Sequence, residues 1–84
     1  MKWKYIGNRA GDATKGEQYI VEIHEEMENY AKKDMPQFIT VVVVQPPSPR
    51  KNFMTMKVGD IVKICNPYYD MQHYSHPGFV PVKE

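Results

Sequence analysis

Apolar and polar residues alternate in short runs along this chain, and a period of two is typical of a β-strand with one buried face. Trp3 and Tyr5 alternate with lysines at the start, which predicts a strand over residues 2–6. Alternation also predicts a strand over 61–65, directly after a turn at Gly59. The hydrophobic pattern therefore favours a β-rich chain.

The centre of the chain carries the strongest strand signal. Residues 37–45 are dense in β-branched side chains, and apolar residues at successive positions predict a central strand covered on both faces. Prolines then recur within 46–49, which predicts a stiff, exposed loop, because proline lacks the N–H that pairing needs. A last strand is predicted over 78–82, at a sheet edge, because Pro81 cannot donate to a neighbouring strand.

Residues 15–34 fit two different periods. With a period of two, 17–23 form a strand that leads into a short helix over 25–33. With a period of about 3.6, a continuous apolar stripe instead predicts one helix over 15–34, supported by a capping-box sequence that starts at Thr14. The β-favouring residues at 19–21 favour the strand and short helix, and the single long helix stays open as the alternative.

Two segments place a glycine and an acidic residue directly ahead of a β-favouring run: Gly16 with Glu17, and Gly59 with Asp60. Glycine tolerates positive φ and the acidic side chain accepts from nearby backbone donors, so both sites predict tight turns that begin strands. Such turns are common in small, bent barrels. The sequence predicts a mainly β fold, a small barrel with a short helical insertion between its second and third strands. The alternative is an α+β fold with one long helix at 15–34 packed on an antiparallel sheet.

Composition limits the class of protein. With 84 residues, we expect a single domain over 1–84 with one thin core. The net charge of +1 argues against a domain whose main task is to neutralise nucleic-acid phosphates. A lone cysteine, Cys65, favours a reducing, cytoplasmic setting. We expect no signal peptide and no membrane span, because no run approaches the roughly 20 apolar residues that a span requires.

Three segments carry motifs of a known kind: Lys4 to Asn8, Thr14 to Val21, and Met56 to Ile64. They resemble the opening strand, the Thr-Lys-Gly turn with its Tyr-x-Val strand, and a later strand start in small SH3-like barrel proteins of bacteriophages and mobile elements. The resemblance implies an SH3-like barrel. It also implies an accessory protein that binds and modulates a host or viral protein in the host cytoplasm, without shared catalytic residues.

The segment 66–77 is the main candidate for a binding site. It is predicted to be a long aromatic loop, and its rings offer rigid, amphipathic contact area for recognising another protein. The predicted partner-binding residues are Tyr68, Tyr69, Asp70, His73, Tyr74 and His76. The alternative is that the tyrosines fold back and cap the open end of a small barrel. We therefore expect a non-enzymatic protein whose partner is another protein.

A second candidate surface is basic. Cationic side chains beside aromatic rings are typical of nucleic-acid binding by small barrels. The residues that would form this surface are Lys2, Lys4, Arg50 and Lys51. Nucleic-acid binding is thus one alternative function, and a sponge for a nucleotide-like ligand stacked on the aromatic loop is another. Exposed strand edges would also permit a homodimer.

Metal-ligating residue types are present, but their spacing matches no metal site. The suitable ligands are Cys65, Asp70, His73 and His76. A Cys-x7-His-x2-His pattern is not an established structural zinc motif, and no second cysteine lies nearby. Cys65 follows an alternating strand, a position typical of a small buried hydrophobe rather than a nucleophile. The sequence therefore predicts no metal, no cofactor and no catalytic residue.

Overall fold

The computed structural model describes residues 1–6, 18–47, 56–73 and 78–83 of the chain. In chain order, these residues form β1 (Lys2–Tyr5), β2 (Tyr19–Glu22), α1 (Glu25–Lys33), β3 (Phe38–Gln45), β4 (Ile61–Cys65), α2 (Pro67–His73) and β5 (Phe79–Pro81). The strands make one antiparallel sheet in the spatial order β4-β3-β2-β1-β5. The predicted β-rich architecture, with a short helix between the second and third strands, is confirmed.

The sheet is open. Its edge strands, β4 and β5, lie at opposite ends of the strand order and do not pair with each other within the described ranges. A closed barrel needs those edges to meet, so the described residues do not form the predicted barrel. Strand length gives a physical reason: only β3 reaches 8 residues, while the others have 3 to 5, which leaves little length over which the sheet could coil back on itself.

The ambiguous region over 15–34 contains a strand followed by a short helix. β2 lies between β1 and β3, where Tyr19 and Val21 bury their side chains. The chain then leaves the sheet, and α1 begins at Glu25, as the period of two predicts. The single helix over 15–34 is wrong, because pairing on both sides of β2 satisfies its backbone and buries its β-favouring side chains.

Charge and backbone geometry define the ends of α1. Three glutamates lie in its first turn and two lysines in its last, an arrangement that stabilises the helix dipole. His24 is the N-cap residue, but its side chain makes no capping hydrogen bond. At the other end, the N–H of Asp34 donates to the carbonyl of Tyr30 at 2.9 Å. Met35 follows with a φ of 51°, in the left-handed region that usually holds glycine, and Pro36 comes directly after it, where the helix has already ended.

Both helices cover the same face of the sheet, and the core lies between them and the strands. The buried apolar residues are Trp3, Tyr5, Tyr19, Val21, Ile23, Ala31, Ile39, Val41, Val43, Ile64 and Phe79. Met27 of α1 and Tyr68 of α2 pack against this cluster. The alternation of buried and exposed residues along each strand therefore assigns one set of side chains to the covered face and the other set to the open face.

The open face leaves part of the central strand in solvent. Phe38 and Thr40 of β3 are exposed and Val42 is half-buried, although the residues between them are buried. The prediction that this strand is covered on both faces is therefore wrong. Two short helices supply one covering layer, so the apolar residues on the open side of β3 reflect strand propensity rather than burial.

A tight turn precedes β4. The N–H of Asp60 donates to the carbonyl of Lys57 at 3.0 Å, and the N–H of Lys57 donates to Oδ2 of Asp60 at 2.9 Å. Gly59 has a φ of 93°, a conformation that any side chain makes costly. The glycine-acid turn predicted here is confirmed, whereas the matching turn at Gly16 lies outside the described residues.

Candidate functional site

Residues 67–73 form α2, so the loop predicted over 66–77 is wrong for this part of the segment. Asn66 caps the helix, because its Oδ1 accepts from the N–H of Tyr68 at 3.0 Å. Pro67 occupies the first helical position, where a missing N–H has no cost. The Asn-Pro pair is the sequence signal for this helix, which is too short to show a clear apolar period.

Asn66 also joins the helical layer to the sheet. Its side chain is fully buried, and its Nδ2 donates to the carbonyls of Ala31 at 3.1 Å and Pro36 at 2.9 Å. Its N–H donates to the carbonyl of Gln37 at 2.9 Å, and its carbonyl accepts from the N–H of Asp70 at the same distance. Every polar group of Asn66 therefore has a partner, and such a residue stabilises one specific arrangement of its neighbours.

Tyr68 connects the two helices at the core. Its hydroxyl donates to Oε1 of Glu28, and its ring packs edge to face on Trp3 with the ring centroids 5.3 Å apart. Nζ of Lys32 lies 5.5 Å from the centroid of the Tyr68 ring. Burial, the hydrogen bond to Glu28 and the charge of Glu28 raise the pKa of the Tyr68 phenol well above its usual value. The phenol is therefore a neutral donor at physiological pH.

Two buried polar atoms of this cluster have no hydrogen-bond partner among the described residues: Nε1 of Trp3 and Oε2 of Glu28. Trp3 is 2% exposed and Glu28 is 7% exposed. An unpaired buried polar atom costs about 1–3 kcal/mol. Trp3 and Glu28 thus place this cluster in the interior, where its contacts hold α2 against α1 and β1.

The predicted partner-binding residues that the structure describes lie on two sides of α2. Asp70 is buried and Tyr68 is half-buried, and both belong to the inner side of α2. Tyr69, which is half-buried, and His73, which is exposed, stack on each other one turn apart, with ring centroids at 4.2 Å. The other two predicted residues lie outside the described part of the chain: Tyr74 and His76. Tyr69 and His73 are therefore the described members that a partner could reach.

The predicted basic residues are also divided. Lys2 and Lys4 alternate with buried neighbours on β1, so their side chains belong to the open face. Lys2 lies opposite Glu22 of β2, which gives this face a negative charge as well. Arg50 and Lys51 lie outside the described residues. The open face is thus mixed in charge.

The candidate metal ligands that the structure describes do not converge. Within the ranges that the structure describes, no group of three or more His, Cys, Asp or Glu residues is arranged to hold a metal ion. Asp70 is buried, whereas His73 is exposed, and Cys65 is a half-buried thiol outside any disulfide. His76 lies outside the described residues.

Among the described residues, the two most exposed large apolar side chains lie at the start of β4 and in the turn before it. Ile61 is 74% exposed, Val58 is 69% exposed and Phe38, on the neighbouring strand, is 45% exposed. Lys63 lies between Ile61 and Phe38, and its Nζ is 5.2 Å from the Phe38 ring centroid. These four residues, Phe38, Val58, Ile61 and Lys63, are named the edge surface. The sequence does not indicate this surface, because alternation shows which residues share a face of the sheet but not which face is covered.

The backbone of β4 contributes to the edge surface. Main-chain bonds at both ends of this strand show which residues pair with β3. At one end, the N–H of Val43 donates to the carbonyl of Asp60 at 2.8 Å. At the other end, the N–H of Asn66 donates to the carbonyl of Gln37. Antiparallel pairing uses every second residue, so the N–H and C=O groups of Ile61 and Lys63 point away from β3. No other described strand lies on that side.

No family model, no curated protein and no solved structure matches this chain. The candidate site therefore follows from the chain's own geometry, and the SH3-like resemblance stays a prediction. In the part of the chain that the structure describes, neither helix has the length and apolar character needed to cross a membrane.

Proposed function

We propose that this chain is a non-enzymatic binding protein that recognises another protein through the edge surface. The observation that carries the proposal is the exposure of Ile61 and Val58, at 74% and 69%, next to an unpaired strand edge in the described structure. A small domain with one thin core gains stability by burying such side chains. Exposed apolar side chains on two paired strands and the adjoining turn, with a lysine among them, are typical of protein interaction sites.

The proposed biological role is that of an accessory protein of a bacteriophage or mobile element, which modulates a host or viral protein in the host cytoplasm. The support is the resemblance of the segments 4–8, 14–21 and 56–64 to small SH3-like proteins. The last of these segments contains the turn at Gly59 and most of β4. The motif that suggests the family is therefore also part of the surface proposed for binding.

Nucleic-acid binding is the second candidate, and one observation favours it. Lys2, Lys4 and Lys63 all lie on the open face, which also exposes the ring of Phe38. Cations beside an exposed ring suit a single-stranded backbone with stacked bases. Titration with a labelled oligonucleotide at two salt concentrations separates the two functions, because phosphate contacts make the affinity fall steeply with salt.

The proposed function is tested by affinity capture from a lysate of the organism that encodes the chain. Three baits are compared: the wild type, a Phe38→Ser/Ile61→Ser variant, and a matched control, Tyr69→Ser/His73→Ser, on the outer side of α2. We expect the edge variant to lose the captured protein and the α2 variant to retain it. Emission of Trp3, the single tryptophan, checks that each bait is folded.

Two results contradict the proposal. Equal capture by all three baits would show that the edge surface is not the recognition site. Loss of capture in the α2 variant alone would move the site to Tyr69 and His73. Nucleic acid in the retained complex, released by raised salt, would favour the second candidate.

A further inference from the structure

We infer that β4 accepts an extended segment of a partner protein as an additional strand, and that this segment carries an acidic side chain opposite Lys63. The inference rests on the proposed function and adds to it the conformation and charge of the partner. The outward N–H and C=O groups of Ile61 and Lys63 supply main-chain hydrogen bonds, and the neighbouring side chains supply contact area. Recognition by strand addition combines these two contributions.

The two edges of the sheet differ in a way that selects β4. On β5, the bonds from Ile6 N–H to Gly78 O and from Val82 N–H to Lys2 O show that even-numbered residues pair with β1. Pro81 therefore occupies a position that points outward, where it offers no N–H donor. β5 also has only 3 residues, against 5 in β4. Of the two sheet edges that the structure describes, β4 therefore offers a pairing strand the outward donors of Ile61 and Lys63, whereas β5 lacks one at Pro81.

Lys63 determines the charge of the segment that fits. Its cross-strand neighbour on β3 is Thr40, and its contact among the described residues is with the ring of Phe38. A side chain directly opposite Lys63 on an added strand would have its Cβ about 5 Å away. A carboxylate there forms a cross-strand ion pair with Lys63. An apolar residue two positions along the added strand lies opposite Ile61.

The same lysine argues against a second copy of this chain as the added strand. Two β4 strands related by a two-fold axis pair all five residues only in the register that sets Lys63 opposite its own equivalent. Like charges directly opposite each other destabilise a strand pair. The occupant is therefore a different chain with a complementary acidic side chain.

Synthetic peptides test the inference on the full chain. The probe is a capped peptide with the core Val-Thr-Glu-Thr-Val, and its twin carries Lys in place of Glu. Binding is followed by amide chemical shifts in two-dimensional NMR spectra. We expect shifts at β4 and an affinity about fivefold higher for the Glu peptide. Lys63→Glu should reverse the preference, and Trp3 emission checks that this variant is folded.

Methylated peptides separate strand pairing from side-chain contact without any change to the protein. In the expected register, the amides of the Glu and the two Val residues face β4, whereas those of the two Thr residues face solvent. N-methylation of the first set should abolish binding, and N-methylation of the second set should leave it within about twofold of the parent peptide.

Three outcomes overturn the inference. Equal binding of the two methylated peptides to the wild type would show that the backbone of β4 is not used. If Ile61→Ser then abolished the binding of both peptides, the proposed function of the edge surface would still stand. An unchanged preference for the Glu peptide in Lys63→Glu would disprove the charge assignment. A wild-type dimer that becomes monomeric when Lys63 is changed to Pro would place a second copy on the edge.

Discussion

The hydroxyl of Tyr68 donates to the carboxyl of Glu28, a contact between α2 and α1 that spans 40 residues of sequence. The ring of Tyr68 packs on Trp3 of β1, so this one side chain of α2 contacts both α1 and the sheet. An aromatic segment that resembles a recognition loop in sequence therefore contributes its first tyrosine, Tyr68, to the contact between the helices and the sheet. The next residue, Tyr69, is half-buried and contacts the exposed His73 instead.

Replacing Tyr68 with Phe should lower the free energy of unfolding by about 1–3 kcal/mol, because Oε1 of Glu28 loses its donor while the ring contacts stay. Urea denaturation followed by Trp3 emission measures this change. The matched control is Tyr69→Phe, whose ring stacks on His73 and which should change the stability by less than about 0.5 kcal/mol. Equal effects of the two variants would contradict the role of the Glu28 bond.

The stability cost of Tyr68→Phe should also depend on pH. The folded state raises the pKa of Tyr68, so it keeps the phenol proton where the unfolded chain loses it. The resulting stabilisation is fully present below the unfolded pKa of about 10 and declines as the pH rises above that value. The difference in free energy of unfolding between wild type and Tyr68→Phe should therefore shrink in alkaline buffer. A difference that stays constant, or grows, would show that the proton is not linked to folding.

Asn66→Ala should destabilise the protein by roughly 3 kcal/mol, because the buried Asn66 side chain loses three hydrogen bonds together. Asn66→Asp is the informative comparison, since it keeps the acceptor that caps Tyr68 but replaces the donors to Ala31 and Pro36 with an oxygen. Helix content by circular dichroism and the thermal midpoint measure both variants. An Asp variant as stable as wild type would show that the two carbonyl contacts contribute little.

The backbone conformation at Met35 should favour glycine over any residue that has a side chain. At a φ of 51°, a side chain crowds the backbone, and the cost is about 1 kcal/mol. Met35→Gly and Met35→Ala both remove the side chain, but only glycine also relieves the backbone. We expect the Gly variant to be the more stable of the two by about that amount in urea denaturation. An Ala variant of equal or greater stability would contradict this.

His24→Ser should stabilise α1 by about 0.5–1 kcal/mol, because serine supplies the side-chain acceptor that His24 does not provide at the N-cap. His24→Ala is the control, since it removes the imidazole without adding an acceptor. Thermal unfolding of the three proteins measures the effect. A Ser variant no more stable than the Ala variant would show that the first turn of α1 is satisfied in another way.

Much of the strand pattern was predictable from local sequence, because alternation and β-branching act over a few residues. The strand at 61–65 and the helix at 25–33 occur as predicted. Closure was not predictable, since it depends on how far short strands coil together. The same holds for the coverage of β3: Phe38 and Val41 are both apolar, yet only the second is buried, which depends on where the helices pack.

The candidate site was predicted less well than the fold. The aromatic composition of 66–77 drew attention to a segment whose Asn66 and Asp70 are buried, whereas the apolar exposure lies on the other side of the sheet at Ile61. The sequence signal for α2 is the capping residue Asn66 and not a helical repeat of apolar residues. That signal depends on a single buried side-chain amide. Exposure is a property of the packed chain, so composition alone could not assign it.

Pro81 has a consequence for the behaviour of the protein at high concentration. A filament grows by stacking identical units end to end, and each unit must both receive a neighbour and offer a docking end to the next. With a proline at an outward position of β5, one of those two edges lacks a main-chain donor. End-to-end stacking of copies of this chain through β5 is therefore disfavoured.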